Sequence, residues 1–122
     1  MSTSEVVRFT IFGEPASKAN SRRLVKDRRT GNSRFIKSAK ALDYVKVFQW
    51  QCPKLDPLLS GNLAVYITIH YASRRPDLDE SVILDAMQGL VYGNDRQVRE
   101  KHVFWGLDKE NPRAEIRIVA LA

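Results

Sequence analysis

The chain has 122 residues, enough for one domain with a modest core and too few for two. Its 43% hydrophobic and 28% charged residues are those of a folding globular protein, and a net charge of +6 points to anionic partners rather than to disorder. A single cysteine, Cys52, excludes an intramolecular disulfide and a cysteine-based zinc site. No basic-then-apolar leader opens the chain, and its longest uncharged apolar stretch, 63–71, is far short of the ~20 residues of a bilayer-spanning helix, so a cytoplasmic location without a membrane partner is expected.

Val7, Phe9 and Ile11 alternate within 6–12 and predict a strand ended by Gly13-Glu14-Pro15. The segment 18–37, KANSRRLVKDRRTGNSRFIK, follows with eight Lys or Arg against one acid, Asp27; it carries +7 and the rest of the chain sums to −1. Read as a long exposed loop, it is either a solvated surface segment or a binding site for phosphates. Asn20, Ser21, Asn32, Ser33 and Phe35, which can hydrogen-bond or stack, favour nucleic acid. Its candidate DNA contacts are Lys18, Arg22, Arg23, Lys26, Arg28, Arg29, Arg34 and Lys37.

Ser38 is a helix N-cap candidate, and Ala41, Leu42, Val45 and Phe48 follow at helical spacing until Pro53. Beyond a turn at Pro57 and Ser60-Gly61-Asn62, the residues Leu63, Val65, Ile67, Ile69 and Tyr71 alternate as a strand. A second helix is expected over about 79–91, then strands at 98–105 and 114–121 joined by a polar loop. The order is βαβαββ, an α+β domain spanning 1–122, with two helices on one mixed four-stranded sheet.

Around the second helix a basic chain concentrates carboxylates. In RRPDLDESVILDAMQGLVYGNDRQV, Asp77 and Asp79 precede the helix and Asp95 follows it. Helical projection places Asp79 over the stripe of Val82, Ile83, Ala86, Met87 and Leu90, hence inward, where a carboxylate needs a strong counterpart. Two plainer readings stand beside a metal site. Asp77 and Glu80 have the spacing of a capping box, and Gly-Asn-Asp is ordinary turn chemistry for Asp95. If the three converge, oxygen-only ligands suit Mg²⁺ or Mn²⁺, and beside a phosphate-attracting surface the matching chemistry is metal-assisted phosphodiester hydrolysis.

These residues resemble the RusA-like Holliday junction resolvases of bacteria and their phages, over nearly the whole chain. Asp77-Leu-Asp79, Leu84-Asp-Ala-Met87 and Asn94-Asp-Arg-Gln-Val98 are similar, in order, to the family's Asp-Leu-Asp, Asp-Ala-Leu and Asp-Asp-x-Gln-Val elements, and Gly13-Glu-Pro-Ala-Ser-Lys18 is similar to its early Pro-x-Ser loop. The resemblance implies that Asp77, Asp79 and Asp95 are the divalent-metal carboxylates, and that a homodimer cuts four-way DNA junctions symmetrically.

The chain departs from the family pattern at three places. Glu80 stands where Asn usually follows the second aspartate, the family's lysine shortly beyond is absent with Val82 and Ile83 in that region, and Asn94 replaces the first acid of the Asp-Asp pair. Lys101 is set aside as a substitute, because six strand residues separate it from Asp95 by ~20 Å. Arg74 and Arg75 can stabilise charge but hold their protons too firmly to act as general acids. Lys18 is therefore the expected catalytic lysine. Asp85, on the far side of the helix from the apolar stripe, is left with a structural hydrogen bond or solvent.

Elsewhere, His70 and His102 read as strand-face histidines, Trp50 and Trp105 as core or dimer contacts, and Cys52 as no nucleophile. The expected protein is a Mg²⁺-dependent endonuclease for branched DNA in recombination and repair, with no small-molecule cofactor. Its catalytic residues would be Asp77, Asp79, Asp95 and Lys18, and Arg74, Arg75 and Arg96 would touch phosphates near the cut. The alternative is a non-catalytic branched-DNA-binding protein of the same fold.

Overall fold

The apolar alternation of 63–71 builds the centre of the molecule. A computed structural model describes residues 4–15, 22–26, 29–31, 33–37, 39–74 and 80–121. In chain order the elements are β1 (Ser4–Phe12), β2 (Arg22–Lys26), β3 (Ser33–Lys37), α1 (Ala39–Gln51), β4 (Leu63–Tyr71), α2 (Ser81–Met87), a 3₁₀ turn (Asp95–Gln97), β5 (Val98–Leu107) and β6 (Arg113–Ala120). β1, β4, β5 and β6 form one sheet in the order β1-β6-β4-β5; β1 and β4 run antiparallel to β6, and β4 and β5 are parallel. This is the expected mixed four-stranded sheet with two helices. Leu63, Val65, Ile67, Ile69 and Tyr71 are all buried on β4, as a strand with a helix layer on that face requires. A parallel pair cannot be closed by a hairpin, so the chain from β4 to β5 must cross over, and it does so through α2.

α1 buries Ala41, Tyr44 and Phe48. Leu42, expected on that face, is 48% exposed, because at ~100° per residue it falls about a quarter-turn off the stripe that Tyr44 completes. Phe9 meets Phe48 edge-to-face at 6.3 Å and ties β1 to α1. The Gln51 side-chain amide accepts from the Phe12 N–H at 2.8 Å and donates to the Phe12 carbonyl at 2.9 Å, occupying the free backbone edge where β1 ends.

Two expectations are corrected. The basic segment is not all loop: β2 and β3 pair antiparallel, with Leu24 opposite Phe35 and Val25 opposite Arg34, across a turn in which Gly31 takes φ +74°. The second helix covers seven residues instead of 79–91. Gly89 adopts φ +82°, and the carbonyls of Leu90 and Val91 accept from Leu55 and Leu59 at 2.7 and 2.8 Å rather than from a continuing helix.

The sheet face away from the helices is open. His102 stacks on Tyr66 at 4.4 Å, Arg117 lies 4.1 Å from the Tyr66 ring centre, and His70 and His102 pair with Glu115 and Glu100, each at 3.2 Å. Both histidines are strand-face residues. Neither tryptophan is core, since Trp50 is 90% and Trp105 43% exposed. Among the described residues no helix is long and apolar enough to cross a membrane.

Candidate functional site

Asp95 sits on a turn whose rigidity comes from its neighbours. Asn94 caps it, its side chain accepting from the Arg96 N–H at 2.9 Å. Gln97 accepts from the Gly93 and Asn94 N–H groups, both at 3.1 Å, and donates to the carbonyls of Leu59 at 2.8 Å and Gly61 at 3.1 Å. Asn94 and Gln97 thus form a capping box, which gives Asn94 a structural role of its own. The turn does not spend the Asp95 carboxylate, which is exposed and receives no hydrogen bond from a described residue. The turn thus accounts for the Asp95 backbone, and the carboxylate itself is open to solvent.

Behind the turn, α2 and its C-cap residue carry Ser81, Asp85 and Gln88 at i, i+4 and i+7, a polar stripe opposite the buried Val82, Ile83, Ala86 and Met87. Gln88 joins the two ends of this region. Its amide oxygen accepts from the Asp95 N–H at 3.2 Å, and its NH₂ donates to Asp85 at 3.3 Å. Asp85 thus makes the structural hydrogen bond expected of it, but the bond links it to Asp95. The same proximity acts on Tyr92, which donates to the Leu84 carbonyl at 2.7 Å. Burial first, then the negative charges of Asp95 and Asp85, push its hydroxyl well above the ordinary tyrosine range. Helical spacing alone could have shown the Ser81-Asp85-Gln88 stripe; the Gln88 contact with the turn required the fold.

Asp77 and Asp79 lie outside the described residues, as do Lys18, Arg28 and Arg75. The N-cap of α2 is Glu80, and the Asp77 half of the expected capping box lies outside the described residues. Glu80 makes no capping hydrogen bond and pairs instead with Lys101 on β5, Nζ to Oε1 3.0 Å. Lys101, set aside by its distance along β5 from Asp95, is thus tied to the start of α2.

Among the described residues no three His, Cys, Asp or Glu side chains gather as a metal site, and Asp95 is the one expected ligand described. Its uncommitted carboxylate can supply one oxygen ligand to a divalent cation. Arg29, Arg74 and Arg96 are exposed; of Arg22, Arg23, Lys26, Arg34 and Lys37 the structure gives the strand positions. Cys52 is buried, which pushes its thiol up to about 12 and removes it as a nucleophile.

Fold and site together define a small basic α+β domain with acidic residues on either side of a parallel crossover helix. The family model of endodeoxyribonuclease RusA matches residues 13–119, and the chain belongs to that family. Its activity is accordingly that of a DNA-cleaving nuclease. No curated protein matches the chain.

Proposed function

We propose that the protein is a Mg²⁺-dependent, structure-specific endodeoxyribonuclease that resolves Holliday junctions and related branched DNA in recombination and repair. The observation that carries this reading is Asp95: an uncommitted carboxylate on a turn fixed by Asn94, Gln97 and Gln88, within the span matched by the family model. Asp77, Asp79 and Asp95 would hold the metal. When bound, the ion supplies activation of water and stabilisation of charge on the scissile phosphate.

The chain's own residues do the rest. Asn94, Gln97 and Gln88 keep Asp95 in place, so that little reorganisation accompanies substrate binding. Exposed Arg96 and Arg74, with Arg75, contact phosphates beside the cut, and the basic residues of 18–37 grip the arms of the junction. A homodimer would supply two matched sites for nicks on symmetry-related strands.

The test is a synthetic four-way junction incubated with the protein, with and without Mg²⁺, beside a linear duplex of the same sequence. Paired incisions in the junction only, and only with metal, are expected. Junction binding without incision in either Mg²⁺ or Mn²⁺ would make the chain a non-catalytic branched-DNA-binding protein.

A further inference from the structure

Glu80 follows Asp79 by one peptide bond, a Cα separation of ~3.8 Å. Its carboxylate serves neither the helix it opens nor open solvent: it is 14% exposed and holds Lys101, whose own side chain is 53% exposed, at 3.0 Å. Lys101 is opposite Val65 in the parallel β4–β5 register, and partnered residues in a sheet point to the same side. Val65 is buried beneath the helices, so Lys101 rises from the edge strand on the helix-bearing side, the side of α2 and of Asp85.

A half-exposed ion pair adds little to stability, so stability alone does not account for a lysine held at this point. An ammonium has three N–H groups, and Glu80 is the one partner of Lys101 among the described residues. Half-exposed, its ammonium is within reach of a ligand arriving from solvent. One residue along the chain from the expected metal ligand Asp79, the ligand whose chemistry matches a cation fixed by Glu80 is the phosphate being cut.

We propose that Lys101 donates to a non-bridging oxygen of the scissile phosphate, and that Glu80 is the positioning residue that keeps it there. This rests on the endonuclease reading above. It assigns to β5 the cation that the sequence suggested for Lys18. A preorganised donor aimed at charge that grows in the transition state accelerates the chemical step more than it tightens binding.

Two measurements test it. The first is acylation of lysines by a small reagent in EDTA, where the junction stays uncut: Lys101 should become protected when a four-way junction is added. The second is single-turnover cleavage alongside junction affinity. Lys101→Ala should slow cleavage about ten-fold or more while affinity changes several-fold less. Lys101→Arg should recover part of the rate, Glu80→Gln should slow cleavage, and Glu80→Gln should add nothing to Lys101→Ala. Melting curves check folding, with Lys101→Met, which keeps the apolar stem, as the substitute if the alanine variant is unfolded.

An unprotected Lys101, a wild-type rate in Lys101→Ala, or equal losses of rate and affinity would overturn the proposal, as would a rate loss in Lys18→Ala with none at Lys101. If the wild-type protein cuts no junction, the endonuclease reading fails, and protection of Lys101 still decides whether it touches DNA.

Discussion

Gln97 makes four hydrogen bonds with one side chain, two to the turn that carries Asp95 and two to the loop between α1 and β4. Gln97→Ala removes all four. The bond to the Leu59 carbonyl is part-buried, and the other three are exposed enough for water to replace them. With a net ~0.5–1.5 kcal/mol for a typical bond and less for solvated ones, the loss of stability should be ~1–2 kcal/mol. For a domain of this size that lowers Tm by roughly 4–8 °C, leaving the protein folded at 25 °C. The effect on cleavage should be larger than the effect on folding, since a displacement of ~1 Å at a catalytic group can cost ~100-fold in rate. Urea or thermal melts and single-turnover junction cleavage read the two effects separately. Gln97→Glu should destabilise at least as much at neutral pH, because it sets a carboxylate against two carbonyl oxygens. An unchanged Tm, or a lowered Tm with a wild-type rate, would refute the reasoning that Gln97 holds Asp95 for catalysis.

Gln88→Leu, which cuts the link between Asp85 and the Asp95 N–H, should lower the cleavage rate and raise the Mg²⁺ concentration needed for half-maximal activity, with junction affinity in EDTA unchanged. The Arg113 guanidinium, 2.7 Å from Asp108, holds that carboxyl below its ordinary range. The folded-state pKa is depressed, so the stabilisation is complete above the ordinary value of ~4 and disappears as pH falls through the lower folded one. Urea midpoints should therefore drop less steeply below about pH 4 in Asp108→Asn than in the wild type. Light scattering should return about twice the 14.0 kDa chain mass; a monomer that makes paired incisions would remove the dimer from the account.

The sheet was legible because its strands alternate. Leu63 to Tyr71 could be read to the residue, and the strands 98–105 and 114–121 came within two residues of β5 and β6. What the sequence hid has physical causes. In the basic segment Leu24-Val25 and Phe35-Ile36 are the apolar centres of two short strands, yet the surrounding charge masks their alternation and suggests a loop. The apolar Leu90 and Val91 prolong the helical pattern past Gly89, whose backbone ends it. Trp50 and Trp105 look like core by residue type and are exposed.

The acidic motif was legible by its spacing and its resemblance, but the contacts around Asp95 and Glu80 were not. Gln88 reaches back to the turn, and Lys101 meets Glu80 across the crossover. Both contacts depend on α2 being short enough to fold the chain back toward β5. Distance counted along a single strand cannot reveal that.

The central claim is that Asp95, together with Asp77 and Asp79, converts a junction-binding domain into a metal-dependent nuclease. The measurement that tests it most directly is cleavage and binding of one labelled four-way junction by the wild type and by Asp95→Asn, in Mg²⁺ and in EDTA. The wild type should cut only in Mg²⁺. Asp95→Asn should bind the junction with affinity close to wild type and leave it intact, because the grip depends on lysine and arginine contacts. Cleavage by Asp95→Asn at the wild-type rate, or cleavage by the wild type in EDTA, would contradict the claim.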